Sequence, residues 1–183
     1  MMIKFASEFS EIPEALSNNQ SLKNKVLILI DQKPIFGKIT QGGNRLEEFK
    51  KILASLVRGE INFDRALIEI ETAIPRYASI YSGDNQVFPS GWPKRQLRTQ
   101  LSRFYNQAVM EDELSKGNTE CFVPPSSAEK ASSACSQFLA GKVHDISHLH
   151  QLLISSYENG DFSNKEPKIP CHPHCTHVVK PLT

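Results

Sequence analysis

GWPKRQLRTQLSRFYNQAVMEDE, residues 91–113, holds one helical periodicity long enough to decide what kind of fold this chain adopts. Pro93 suits the first turn of a helix, because its missing N–H has no intrahelical partner there. Leu97, Leu101, Phe104 and Ala108 recur at three- and four-residue spacing and predict a buried stripe on a helix ending near Gly117. Arg95, Arg98 and Ser102 fall away from that stripe. The charges run against the helix dipole: Lys94, Arg95, Arg98 and Arg103 come first, and Glu111, Asp112 and Glu113 close the stretch. Each misplaced charge costs about 0.3–1 kcal/mol, so stability alone does not account for that order.

Helical patterns continue on both sides. Upstream, Asn44 and Glu47 read as a capped start to a helix through Arg58, with Leu46, Phe49, Ile52, Leu53 and Leu56 on one face. After Gly59, a second pattern of Phe63, Leu67, Ile70 and Ile74 runs until Pro75. A mixed polar and aromatic loop, 76–92, separates these from the long helix. Downstream, Ser126-Ser127-Ala128-Glu129 has the form of a capping box and predicts a helix to Gly141. Asp145 predicts the N-cap of a last helix ending at Asn159-Gly160.

Strands are expected near the N-terminus. Val26-Leu27-Ile28-Leu29-Ile30 and residues 35–40 read as a hairpin turning around Pro34, with Thr119–Val123 as a candidate third strand. A lone hairpin is marginal in water, so it must pack on the helices. The expected fold class is therefore α+β: a mostly helical single domain over residues 1–160, a small N-terminal antiparallel sheet, and an ordered irregular tail over 161–183.

Composition narrows the function classes. A chain of 183 residues with 39% hydrophobic and 22% charged residues is globular, and its net charge of +1 exerts no global pull toward nucleic acid or membrane. The aliphatic run at 26–30 is too short to span a bilayer. No apolar segment of signal-peptide type follows Met1, so a cytoplasmic protein is expected, and its four cysteines read as thiols or metal ligands rather than disulfides. Phosphate-loop, dinucleotide-binding, nucleophile-elbow and zinc-protease motifs are all missing from the sequence.

Two stretches carry candidate chemistry. In KIPCHPHCTHVV, residues 168–179, five ligand-type side chains fall in seven positions. Cys171, His174, Cys175 and His177 are the candidate ligands, with His172 as a further donor. Thiolate and imidazole in sets of four point to zinc. Should the tail supply only three, a fourth must come from Cys121, Cys135, His144, His148 or His150. The spacing matches neither a zinc ribbon nor an iron–sulfur run, so a proline-stiffened arm ordered by a partner stands as the rival reading. Cys121 and Cys135 otherwise read as core thiols. His144-Asp145 lacks companion ligands, since all six histidines lie at or after position 144, and reads as capping and surface.

The second stretch is the basic helix. Lys94, Arg95, Arg98 and Arg103 beside Trp92, Tyr77, Tyr81 and Phe88 combine cations with aromatics, which is how single-stranded nucleic acid is bound. A solvated cationic face paired with acidic residues is the plain alternative. The reading that follows is a non-catalytic subunit or adaptor of a protein or nucleoprotein assembly that contacts single-stranded RNA or DNA. Its rivals are a metal-dependent enzyme using the C-terminal His/Cys cluster and a small zinc-stabilised protein-interaction module.

Overall fold

The long amphipathic pattern forms helix α5, Trp92–Ser115, around which the other elements are arranged. The computed structural model describes residues 2–182; Met1 and Thr183, the outer ends of the expected body and tail, lie outside the described residues. Helices α1 (Ile12–Asn18), α2 (Gln20–Gln32), α3 (Arg45–Arg58) and α4 (Phe63–Ala73) precede α5. Strand β1 (Glu120–Val123), helix α6 (Ala134–Leu139), strand β2 (Lys142–Asp145), helix α7 (Ile146–Leu153) and strand β3 (Lys180–Pro181) follow it. A π-helical turn, Ile154–Glu158, extends α7. Among the described residues no helix is long and apolar enough to cross a membrane.

The fold class is α+β and mostly helical, as expected, with a small antiparallel sheet. The sheet's place in the chain differs. Residues 26–30 lie inside α2, where Leu22, Val26, Leu29 and Ile30 share the buried face and Ile28 points to solvent. Asn19 starts that helix by accepting a hydrogen bond from the Leu22 N–H at 3.2 Å. The cap and the 22-26-29-30 spacing outweigh the β-branched composition that suggested a strand. Residues 35–40 form an irregular turn ending in one 3₁₀ turn, Lys38–Thr40.

The real sheet joins the middle of the chain to its end. β1 is central, pairing antiparallel with β2 (Cys121 opposite His144) and with β3 (Phe122 opposite Lys180). Pro181 sits on the outer strand, where its missing N–H disrupts least. Of the expected strand at 119–123, Glu120–Val123 is a strand, but its partners are C-terminal.

Helices α3 and α4 follow the sequence pattern. Gly59, at φ 78°, closes α3 in the left-handed conformation that glycine adopts without strain. Arg45 then ties the start of α3 to the end of α4. Its Nε donates to Ile39 O at 2.7 Å, and Nη1 and Nη2 donate to Pro75 O and Ile74 O, both at 2.9 Å. Asp145 caps α7 as expected, accepting from the His148 N–H at 2.7 Å.

The predicted capping box does not open a helix. Ser127 N–H and the hydroxyls of Ser126 and Ser127 donate to the Glu8 carboxylate instead, holding its pKa below the usual carboxylate value. α6 begins only after Ser133, whose Oγ accepts from the Ser136 N–H. Glu129, the acid of the supposed box, turns toward the tail.

Arg45→Met should destabilise the protein by about 3 kcal/mol, because three carbonyls lose a charged donor and stay partly buried. Urea unfolding should show a lower midpoint at unchanged slope.

Candidate metal centre

Five segments bring the centre together. The tail is threaded against α5 by Val179 N–H, which donates to Asn106 Oδ1 at 2.7 Å. It is held to the N-terminal segment by Phe9 N–H, which donates to Thr176 O at 2.8 Å. Ser126 Oγ and Thr176 Oγ1, 2.6 Å apart, fasten the loop that carries Glu129. α6 supplies Cys135 and Ser136. As a result Cys175, His177, Val178 and Val179 are all buried.

Ligand atoms of Glu129, Cys135, His172 and Cys175 lie within 4.8 Å of one another, a set that can hold a metal ion. His177 reaches the same place. Its Nδ1 is 2.7 Å from Glu129 Oε2, 3.2 Å from Cys135 Sγ and 3.7 Å from Cys175 Sγ, and the two sulfurs are 3.6 Å apart. One ring N–H can satisfy only one of three surrounding acceptors. Its other ring nitrogen, Nε2, is 3.2 Å from Ser136 Oγ, so that Nδ1 is left to face the cluster.

The sulfurs are crowded in the same way. The Cys135 thiol, 3.6 Å from Cys175 Sγ, is pushed up in pKa by its neighbours Cys171 and Cys175. Cys135 in turn draws Cys171 down to about 7 and Cys175 down to about 4, in each case against burial. Backbone contacts from Cys171 and His177 also favour the Cys175 thiolate. Burial works to lower the His177 pKa, yet Cys175 outweighs it and the net direction is up. Anionic donors thus surround a space with too few protons to satisfy them. A metal ion resolves this by replacing protons at several donors at once.

The candidate ligands therefore separate. Cys171, Cys175 and His177 lie at the cluster. His174 does not: it is exposed, with Arg95, Arg98 and Lys94 nearby. His172, two residues earlier, places Nε2 3.1 Å from Glu129 Oε1, without the alignment of a hydrogen bond. Cys135, considered as a fourth donor, is at the centre. Glu129 carried no signal of its own, having been read as a cap.

The other named donors are occupied elsewhere. Cys121 is buried with Sγ near His144 O, and burial raises its pKa to about 12. His144 Nε2 lies 2.9 Å from Leu139 O, while His148 and His150 pair with Glu166 and Glu111.

The basic helix is divided too. Arg103 is fully enclosed, with Nη1 donating to Pro34 O at 2.7 Å, and burial lowers its pKa to about 10. Trp92 is 8% exposed and meets Phe88 edge-on at 5.1 Å, so its faces are not offered to a base. Both are corrections to the expected nucleic-acid face. Arg98 is half-buried, with its guanidinium 4.2 Å from the Phe9 ring centre. Lys94 is exposed and Arg95 half-buried.

Beside the centre lies a cleft of about 310 Å³, bounded at one end by Cys171, His172 and Pro173. Phe36, Tyr157 and Phe162 supply aromatic walls, and Lys168 stands over the last two at 5.7 Å from each ring centre. Phe36 lies on Gly160, whose position would bring an added Cβ to 3.4 Å from the ring. No family model, no curated protein and no solved structure matches the chain.

Protein purified without chelators should carry about one metal ion per chain by elemental mass spectrometry. Cys135→Ser or Cys175→Ser should release it and lower the melting temperature, whereas His174→Ala should change neither.

Proposed function

We propose that the chain is a zinc-stabilised, non-catalytic binding module whose metal pins the 171–177 turn and whose adjoining surface contacts single-stranded nucleic acid. The zinc reading rests on one observation, the triangle of Cys135 Sγ, Cys175 Sγ and His177 Nδ1 with edges of 3.6, 3.2 and 3.7 Å. Donors at ordinary zinc distances around a tetrahedral centre stand about 3.8 Å apart for two sulfurs and about 3.5 Å for sulfur and nitrogen. Cys171 is the fourth ligand in this reading, because it stands four residues before Cys175 in the same turn with its pKa drawn down beside Cys135, and three thiolates favour zinc over harder ions. When bound, zinc supplies the positive charge that holds these donors together. Ser136 fixes the His177 ring, and Glu129 and His172, whose ligand atoms lie within 4.8 Å of those of Cys135 and Cys175, are the alternative donors.

The nucleic-acid reading is supported by what the pinned turn separates. On one side His174 lies among Lys94, Arg95 and Arg98. On the other, His172 and Pro173 border the cleft with the exposed rings of Phe36 and Phe162 and with Lys168. Cations for phosphates and aromatic faces for bases thus adjoin through one turn, the combination that sequence-tolerant single-strand binding uses. It replaces Trp92 and Arg103, which are inside the protein.

A metal-dependent enzyme is the second reading, favoured by one observation: Cys171 and His172 are half-buried at the end of the cleft, where a substrate could reach the metal. X-ray absorption decides between them. Four protein donors around zinc support the structural site, and an oxygen from water in the coordination shell supports the enzyme.

Binding is tested by fluorescence anisotropy with a short labelled single-stranded oligonucleotide. Affinity should fall steeply with salt, and Lys94→Glu with Arg95→Glu should flatten the log–log slope by about 1.4 units for two lost phosphate contacts. Phe162→Ala should weaken binding without changing that slope. If the wild-type protein binds no single strand at low salt, the surface serves a protein partner instead.

A further inference from the structure

A second cavity, of about 460 Å³, shares no lining residue with the metal-side cleft. Its size falls within the ~300–1,000 Å³ of small-molecule sites. Ile12 and Leu16 from α1, Val57 from α3 and Leu101 from α5 make the floor, all of them buried. Leu56, Ile61 and Phe63 are half-buried and form the walls. An opening this apolar, left between five helices, is unusual for a core that packs closely elsewhere.

The rim has a definite charge. Lys23, half-buried on α2, and Arg58, exposed at the end of α3, both line the cavity, and no aspartate or glutamate does. Neither cation makes an ion pair among the described residues. The remaining polar rim groups are neutral. Ser17 carries a hydroxyl, and the Asn62 carbonyl oxygen is already taken by the Arg65 N–H. Asn62 and Phe63 also bring the N-terminal end of α4, with its positive dipole end, to the same rim.

We infer that this cavity binds a free medium-chain fatty acid, with the alkyl tail on the Ile12–Leu16–Val57–Leu101 floor and the carboxylate between Lys23 and Arg58. The apolar floor excludes a fully polar anion such as a sugar phosphate. The two unpaired cations disfavour a cationic amphiphile. A protein helix, ~10–12 Å across with its side chains, does not fit a cavity of this volume. The site is independent of the metal centre and of the nucleic-acid reading.

Titration calorimetry of the full-length, metal-replete protein with decanoate tests the inference. Saturable binding of one decanoate per chain is expected, with affinity rising about fourfold per methylene from hexanoate until the cavity is filled. Lys23→Glu or Arg58→Glu should weaken it about tenfold, as expected for losing one charge-assisted contact. Leu56→Trp should block it by filling the cavity. Should that variant unfold by circular dichroism, Ile61→Trp makes the same test from the opposite wall. Decylammonium binding as tightly as decanoate would overturn the assignment. So would unsaturable uptake, or undiminished affinity in a folded cavity-filling variant.

Discussion

Helix α5 is enclosed on every side over its middle: each residue from Gln100 to Met110 is buried, although nearly half of them are polar. That constraint organises the protein. A buried polar side chain must find a partner or leave an unmet group costing about 1–3 kcal/mol; Gln100 and Ser102 find theirs within α5, and four other side chains reach different parts of the chain. Tyr105 Oη accepts from the Ala6 N–H at 2.8 Å and Arg103 donates to Pro34 O. Asn106 accepts from the Val179 N–H, and Gln107 reaches Glu158 at 3.2 Å. Further along, Asp112 pairs with Lys25 of α2. The helix is therefore a polar strut to which the N-terminus, the 34–40 turn, the end of α7 and the tail are all fastened.

The donor cluster that can hold a metal ion is one consequence of that fastening. Asn106 fixes Val179 and so fixes His177 two residues before it. Thr176 is caught between Phe9 and Ser126, which sets Cys175 against α6. The turn 171–174 then has little freedom, and its two histidines part: His172 faces Glu129 while His174 faces solvent beside Lys94 and Arg95.

These origins explain what the sequence could and could not disclose. α3, α4 and α5 were legible because their apolar spacing and punctuation agree, and Asp145 because a cap is a local device. α2 was misread because Val26 to Ile30 is β-branched and apolar, while the deciding Asn19 cap lies seven residues earlier. β2 and β3 carry no period of their own; two-to-four-residue strands are defined by the partner they meet. Ligand density pointed to the right turn, where Cys175 and His177 meet Cys135, yet the choice of His172 or His174 depended on the direction of that turn. Glu129 was hidden by a perfectly good capping-box spacing, overridden when Glu8 took the serines. Arg103 and Trp92 were assigned to the surface because a single buried stripe was assumed, and α5 has no outer face at its middle.

The order of charges along α5 also acquires a physical reason. Lys94, Arg95 and Arg98 stand at the positive end of the helix dipole, where each costs stability. Arg98 lies over Phe9 with Nε buried and without a hydrogen-bond partner, and burial lowers its pKa. Cys175 and Glu129 act in the opposite sense and favour its charge. A cluster of thiolates and a carboxylate gathered beside the first turns of α5 needs neighbouring positive charge, and the helix N-terminus with its cations provides it from outside the ligand set. The arrangement that disfavours the helix on its own is the one that allows an anionic centre to be buried against it.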